Sequence, residues 1–315
     1  MRYRAHLPQL DGDLFLTDGG IETTLIFHQG LDLPLFAAFD LLKDDEGTET
    51  LRSYYEPYIA LARERGLGLV LESPTWRASP RWASEIGYSE QELDDMNRSA
   101  IGLMEELRDR YDTGDVPIVI SGCLGPQDDG YNPAMKLTAP EAQDYHAVQI
   151  ATFRDTAADM VTAITMTYAD EAVGIARAAQ EAGLPASISF TLETDGRLPS
   201  GQALGEAIEE VDEQTGGAPV YYMINCAHPT HFEDVVEARE PWLERLRGLR
   251  ANASMKSHAE LDEAAELDEG DPEDLGRRYA ALRAKLPQLN VLGGCCGTDH
   301  RHVAAIRDAW LADRQ

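Results

Sequence analysis

Residues 160–192 of the chain read MVTAITMTYADEAVGIARAAQEAGLPASISFTL, and this stretch decides the class of fold. It contains two short apolar runs, Met160–Met166 and Ala186–Leu192, which are typical of buried strands. Residues 169–182 lie between these runs and carry apolar side chains at helical spacing. Two parallel strands joined through a helix form a right-handed crossover. The stretch therefore predicts an α/β fold with a parallel sheet.

The same alternation continues along the whole chain. Further strands are predicted at Leu14–Thr17, Leu67–Glu72, Val116–Ser121, Val220–Asn225, roughly Leu249–Ala253 and Asn290–Gly293. The remaining helices are predicted near residues 51–65, 90–110, 140–157, 202–215, 232–247, 272–285 and 299–313. Eight strands that alternate with eight helices predict a closed (β/α)8 TIM barrel, a single domain spanning residues 1–315. A doubly wound open sheet is the alternative, and the seventh strand is the least well marked.

The composition excludes several classes of partner. The 315 residues include 56 acids and 27 bases, which gives a formal net charge of −29. A surface this negative repels nucleic acid and anionic lipid. No apolar run approaches the ~20 residues that span a bilayer, and the first ten residues lack the apolar core of a signal peptide. We therefore expect a cytoplasmic protein without nucleic-acid or membrane partners. The oligomeric state stays open, a homo-oligomer included.

Three of the four cysteines follow predicted strands. Cys226 ends the sixth apolar run, and Cys295 with Cys296 ends the eighth. Four cysteines in a chain of this length are too few for a disulfide framework, so reduced thiols are predicted. The carboxyl ends of barrel strands share one face, where the active sites of such enzymes lie. Three thiolates there can hold a zinc ion and leave its fourth position open for catalysis. The alternative is three ordinary buried cysteines.

Several motifs resemble those of the homocysteine S-methyltransferases. They are Gly-Gly-Cys295-Cys296-Gly-Thr298, Asn225-Cys226, Asp18-Gly19-Gly20 with Thr23, Gly122-Cys-Leu-Gly125-Pro126 after the third strand, and Asp195-Gly196-Arg197-Leu198 with Gly201. The resemblance runs nearly from end to end. It implies a (β/α)8 barrel in which Cys226, Cys295 and Cys296 are ligands of a catalytic Zn2+ ion, with Asp18 in the substrate pocket.

The resemblance also implies a reaction and its partners. A small-molecule thiol, homocysteine above all, would receive a methyl group from a sulfonium donor, S-methylmethionine or S-adenosylmethionine, and methionine would form. Sulfur on an electron-rich zinc stays nucleophilic and can attack a methyl group held in line. Two alternatives remain at this point. One is an enzyme of the same family that uses another small thiol or demethylates a methylated compound, and the other is a non-catalytic zinc-binding barrel.

The chain departs from the family where substrate specificity is expected. The family commonly has a Glu-Thr pair on the fourth strand, whose acid holds the amino group of homocysteine, but here Ile164 precedes Thr165. Glu22 stands where a glycine is usual and is a candidate replacement carboxylate, with a solvated surface residue as the alternative. Trp76 follows the second strand and is a candidate cation–π partner for a sulfonium. Asp18, Glu22, Thr165 and Trp76 are therefore predicted to bind substrate.

Two further segments are assigned structural roles. Cys123 stands where the family often has serine, and we predict that it packs in the core. Residues 260–274 contain nine acids and no base, which predicts a solvated loop and the start of a helix. A divalent-cation site is the alternative for this acidic segment, although it lacks the glycine-punctuated spacing of a calcium loop.

Overall fold

The computed structural model describes residues 2–131, 134–237, 240–264 and 266–312, and it contains eight parallel strands. The strands are β1 (Phe15–Leu16), β2 (Gly68–Glu72), β3 (Ile118–Leu124), β4 (Met160–Met166), β5 (Ala186–Thr191), β6 (Tyr221–Asn225), β7 (Leu246–Ala251) and β8 (Val291–Gly294). Each pairs with its neighbours in chain order, and β1 also pairs with β8, which closes the barrel. The predicted (β/α)8 barrel is confirmed.

Helices lie in the segments that connect the strands. They are α1 (Ile21–Thr23), α2 (Asp45–Glu64), α3 (Pro80–Ile86), α4 (Glu90–Tyr111), α5 (Ala139–Arg154), α6 (Ala169–Ala182), α7 (Leu204–Thr215), α8 (His258–Asp262), α9 (Pro272–Leu282) and α10 (His300–Ala312). Capping boxes begin α4 at Ser89 and α5 at Thr138, where side chains satisfy free backbone N–H groups. No helix in the described part of the chain is long and apolar enough to cross a membrane.

The N-terminal end of the barrel is filled by apolar side chains. A separate buried cluster contains Leu7, Phe15, Val70, Val119, Met160, Tyr221, Met223 and Val291. Further along the strands the buried side chains become polar, as where the Ser121 and Ser187 hydroxyls lie 2.8 and 3.2 Å from that of Thr162. Because this end is packed, a ligand can enter only from the C-terminal end.

The predicted helix at 232–247 is wrong. The chain forms short 3-10 turns there, including Val235–Glu237 and Pro241–Arg245, and β7 already begins at Leu246. Pro241 lacks a backbone N–H and disfavours helical geometry in the residue before it. Glu240 is accordingly extended, with ψ of 153°. The apolar spacing in this segment reflects residues that cover the barrel without forming an α-helix.

The third strand ends later than predicted. It runs to Leu124 and not to Ser121, so Cys123 lies within β3 and pairs with Thr162 of β4. A Cβ at Gly122 would lie about 2.5 Å from the Phe153 ring, so glycine permits close packing of α5 on the strand. The predicted loop motif that begins at Gly122 therefore starts inside the strand.

Candidate active site

Three sulfur atoms meet at the C-terminal end of the barrel. Cys226 directly follows β6, and Cys295 and Cys296 directly follow β8. Their sulfurs all lie within 4.8 Å of one another. Cys226 is buried, Cys295 and Cys296 are half-buried, and all three line a cavity. The strand-end positions thus bring together the three residues that the sequence singles out.

The Cys226 and Cys295 sulfurs are in direct contact, whereas the sulfurs of Cys123 and Cys296 lie apart from this pair. The prediction of reduced thiols stays a prediction. A disulfide sulfur has no thiolate to offer a metal, so metal binding requires the reduced pair. The Cys226 and Cys295 side chains can therefore form a disulfide or bind a metal, but not both at once.

The reduced residues fit a zinc ion. Thiolate ligands select zinc and other soft metals, and three of them leave one tetrahedral position open. No histidine, carboxylate or further cysteine of the described residues joins this group of sulfurs. Burial raises the pKa of the Cys296 thiol, so a bound cation would be needed to stabilise its thiolate near neutral pH. Three sulfur ligands leave the fourth position of a tetrahedral metal site open, and the presence of zinc there remains a prediction.

Asn225 holds Thr165, one of two residues with strained backbones beside these sulfurs. Thr165 and Cys226 both have left-handed backbones, with φ of 69° and 50°. The Asn225 side chain accepts from the Thr165 N–H at 2.9 Å and donates to the Thr165 hydroxyl at 2.9 Å. It also accepts from the Ser189 hydroxyl at 2.6 Å. Left-handed geometry costs of order 1–3 kcal/mol in non-glycine residues and persists where surrounding contacts determine it. Thr165 therefore contributes backbone geometry to the site.

The glycines around the cysteine pair serve two purposes. Gly297 has φ of 77°, which turns the chain after Cys296, and a Cβ there would meet the Asp268 carbonyl at 2.7 Å. Gly293 and Gly294 have no such backbone geometry. A Cβ on either would overlap the side chains of Thr17 and Thr298 respectively. Close packing, and not conformational freedom, requires glycine at these two positions.

Tyr131 and His258 support the cysteines from the loops. The Tyr131 hydroxyl lies 3.4 Å from the Cys296 sulfur, and its ring stacks on His258 with a centroid distance of 4.0 Å. His258 Nε2 donates to the Cys226 carbonyl oxygen at 2.6 Å. Loops that follow different strands are therefore joined around the sulfurs.

A cavity of about 380 Å³ opens beside the sulfurs. All the predicted substrate residues line it: Asp18, Glu22, Trp76 and Thr165. Ile164 lines it as well, so an apolar side chain occupies the place where the family's acid was expected. The Trp76 indole N–H donates to the Ile164 carbonyl at 3.2 Å, which fixes the ring in the wall. The substrate-binding roles of these residues stay predictions.

Asp18 already has partners within the protein. Its carboxylate lies 2.7 Å from Arg250 Nη2 and accepts from the Tyr54 hydroxyl at 2.9 Å. Arg250 also donates to the carbonyl oxygens of Gly19 and Gly294, both at 3.0 Å. The side chain therefore ties β7 to the ends of β1 and β8 across the barrel. An ammonium group of a substrate would have to share Asp18 with this arginine.

Two other acids in the cavity have unusual protonation behaviour. Burial raises the pKa of Glu22 to about 7 and that of Glu72 to about 7, because the charged forms are poorly solvated. Glu72 is fully buried at the end of β2, whereas Glu22 is half-buried. Both groups change charge near neutral pH, so they can exchange protons with bound molecules.

The acidic segment of residues 260–274 is only partly a solvated loop. Asp262, Glu266 and Asp268 line the cavity, and Asp268 accepts from the Ser254 hydroxyl at 2.9 Å. The segment thus crosses the barrel mouth before α9 begins at Pro272. Asp262 and Glu266 are exposed, as the prediction of a solvated loop requires, whereas Asp268 is half-buried; the predicted helix start is observed.

Cys123 provides a matched comparison for the three clustered cysteines. It is buried and lines the cavity, but its sulfur does not belong to the cluster. Burial raises its pKa well above that of a free thiol, so it stays neutral. We expect Cys123→Ser to keep its metal and activity within a few-fold of wild type, at a cost of about 1 kcal/mol in unfolding free energy. Metal analysis and methyl-transfer assays check this; a matching loss of metal would make Cys123 a ligand.

Sequence reasoning missed four residues of this site: Arg77, Tyr131, Arg250 and His258. Arg250 lies near the end of β7 and Arg77 in the loop that follows β2, and basic residues at such positions in a very acidic chain are a usable signal. Tyr131 and His258 carry no such signal, because their role depends on how two loops meet.

Comparisons with known proteins agree with this architecture. A model of the homocysteine S-methyltransferase family matches residues 15–310. The oxidised form of the homocysteine methyltransferase MmuM from Escherichia coli superposes with a TM-score of 0.75 at 19% identity, covering 95% of this chain and 97% of that one. The metallated form of the same protein gives 0.72 at 18%, covering 96% and 98%. No curated protein sequence matches the chain. At such low identity the structural likeness concerns the fold.

Proposed function

The chain belongs to the homocysteine S-methyltransferase family, and we propose that it moves a methyl group from a sulfonium donor to a small thiol at a zinc ion held by Cys226, Cys295 and Cys296. As a methyltransferase it is an enzyme, so the non-catalytic zinc-binding barrel is set aside. Homocysteine is the acceptor named by the family, and methionine would then be the product. A cytoplasmic location, where thiols stay reduced, suits this chemistry.

One observation carries the proposal: three sulfurs converge at the wall of a cavity large enough for a substrate. A purely structural zinc site is closed by four protein ligands. Here the described residues offer three, and Cys295 and Cys296 border the cavity. An acceptor sulfur can therefore reach the open position from the cavity.

The protein supplies the remaining requirements of the reaction. Zinc would provide Lewis-acid stabilisation of the acceptor sulfur as a thiolate. Glu22 has a pKa near 7 and lies close enough to Cys296 to influence the pKa of that thiol, so its carboxylate is suited to accept the acceptor's proton. Tyr131 and Asn225 hold the backbone and sulfur positions around the reacting groups.

The methyl transfer itself is a single displacement. A bond forms between the acceptor sulfur and the methyl carbon while the bond from that carbon to the donor sulfur breaks. The bonding electrons leave with the donor sulfur, which becomes a neutral thioether. Binding aligns the two sulfurs and the methyl group before the reaction, which lowers the entropic part of the activation barrier.

The charge of the cavity favours a cationic donor. Seven acids and two arginines line it. Three of the acids lie on the segment that crosses the barrel mouth: Asp262, Glu266 and Asp268. Their field attracts a sulfonium cation toward the site. This supports a sulfonium donor without choosing between S-methylmethionine and S-adenosylmethionine.

A panel of thiols and donors tests the proposal directly. Each thiol is combined with each sulfonium donor, and zinc is measured on the same reduced sample. We expect methyl transfer that depends on about one zinc per chain. Transfer that persists at full rate after complete zinc removal would overturn the metal's role.

Ile164 leads to a prediction about the acceptor. A partly buried ammonium group needs a carboxylate partner, yet Ile164 offers none and Asp18 is paired with Arg250. We expect thiols without an α-amino group to be comparatively well accepted. Ile164→Glu should shift the ratio of kcat/KM toward homocysteine, relative to 4-mercaptobutyrate, by ~10-fold if one charge-assisted hydrogen bond of ~1.5 kcal/mol forms.

Ile164→Gln is the control, because it adds a similar polar volume without the charge. Its ratio should stay close to that of wild type. A different outcome would show that another group binds the amine: a wild-type enzyme that already strongly prefers homocysteine, and an Ile164→Glu variant with the same ratio of kcat/KM.

A further inference from the structure

Arg77 differs from the other buried arginines of the protein. The described residues bury four arginines. Three of them form ion pairs: Arg108 with Asp159 at 2.8 Å, Arg250 with Asp18 at 2.7 Å and Arg307 with Glu64 at 2.6 Å. Arg77 is only 7% exposed, yet no carboxylate of the described residues lies within 4.0 Å of its guanidinium. A buried charge without a partner is costly, so such a group calls for an explanation.

The surroundings hold the Arg77 guanidinium in place without neutralising it. Its central carbon lies 4.1 Å from the Trp76 ring centroid and 3.7 Å from that of Trp82. Its hydrogen bonds are weak, with Nη1 at 3.5 Å from the Asp128 carbonyl and Nε without any partner in the described chain. Asp129 and Glu22 act on it only at longer range, and burial lowers its pKa to about 10. The group stays charged at neutral pH.

Arg77 also lines the cavity beside the three cysteines. The central carbon lies over both indole rings, and Nε has no hydrogen-bond partner in the described chain, so N–H donors remain for a ligand. A planar fork of N–H donors matches the two oxygens of a carboxylate. A phosphate, with its higher charge, would meet stronger repulsion from the seven acids of the wall.

We propose that Arg77 forms a carboxylate-binding subsite in this cavity and that one of the two substrates carries the carboxylate. The inference rests on the proposed methyl transfer for the identity of those substrates. Either the thiol acceptor or the sulfonium donor can bring the group. In both cases Arg77 determines specificity by binding the end of the substrate away from the reacting sulfur.

Binding measurements on the full-length protein test the subsite without requiring turnover. Isothermal titration compares 4-mercaptobutyrate with 4-mercaptobutyramide as the acceptor arm. The donor arm compares 3-(dimethylsulfonio)propionate with its carboxamide. Arg77→Met should weaken binding of the carboxylated compound in one arm by about 10- to 100-fold, as expected for loss of a charge-assisted hydrogen bond. The affinities of both amides should stay unchanged. The arm that responds identifies the source of the carboxylate.

Two variants separate this role from simple packing. Arg81 also lies over Trp82, at 4.9 Å, but does not line the cavity. Arg81→Met should therefore bind the carboxylated compounds with wild-type affinity. Arg77→Lys keeps the charge without the planar fork and should bind the carboxylate with intermediate affinity. Because Arg77→Met removes an unpaired buried charge, it should not lower the unfolding midpoint. Unchanged carboxylate affinity in both arms would overturn the subsite, whether or not the protein transfers methyl groups.

Discussion

Replacing Cys226, Cys295 or Cys296 singly with serine is expected to remove zinc and methyl transfer together. The zinc content of the reduced protein should fall from about one per chain to near zero, because two thiolates hold the ion far less tightly than three. Activity should fall by more than ~100-fold, since even changes to the partners of metal ligands cost up to that factor. Elemental analysis and methyl-transfer rates on the same samples measure both effects.

The preparation and the control matter for this experiment. The protein must be reduced and reloaded with zinc first, because Cys226 and Cys295 lie close enough to form a disulfide on oxidation. Cys123→Ser serves as the control, since it removes a cavity thiol outside the cluster. Full zinc occupancy in all three cluster variants would refute the ligand assignment.

The barrel was predictable because its signal repeats. Each strand is buried on both faces and appears as an apolar run, so the β4 range Met160–Met166 is predicted without error. Errors occur where tertiary contacts or a proline override the local pattern. Pro241 disfavours the predicted helix, and β3 continues through Gly122 because the chain stays paired with β4 there.

The site was predictable only as far as topology determines it. Strand ends in a parallel barrel must share a face, so the sequence alone brings Cys226 close to Cys295 and Cys296. The pairing of Asp18 with Arg250 depends on side-chain reach across the barrel, which no local pattern encodes. The same is true of the acidic segment, whose composition indicates solvent although Asp268 faces the cavity.

The clustered sulfurs can hold zinc only while they are reduced. Oxidation would instead join Cys226 to Cys295, whose sulfurs are in direct contact. The Cα atoms of this pair are 5.5 Å apart, and Cys296 stays free beside them. Any measurement of activity therefore reports on the redox state of the sample as well as on its metal.

Arg250→Met is expected to lower the free energy of unfolding by about 3–5 kcal/mol, the usual effect of removing one partner from a buried ion pair. Arg250 is 5% exposed and its partner Asp18 is 4% exposed, so neither charge can be solvated by water instead. The substitution also leaves the carbonyl oxygens of Gly19 and Gly294 without the donor that joins β7 to the barrel's closing strands. Denaturant unfolding monitored by circular dichroism measures the loss.

A double-mutant cycle assigns that loss to the pair. Adding Asp18→Asn to Arg250→Met removes the unpaired carboxylate, so the double variant should be more stable than Arg250→Met alone, with a coupling of about 1–3 kcal/mol. Arg247→Met is the control on the same strand, because Arg247 is half-buried and its described contact is a long hydrogen bond of 3.4 Å to Leu10. It should lose less than ~1 kcal/mol. Equal losses for Arg247→Met and Arg250→Met, or no coupling between Asp18 and Arg250, would show that the ion pair does not hold the barrel end together.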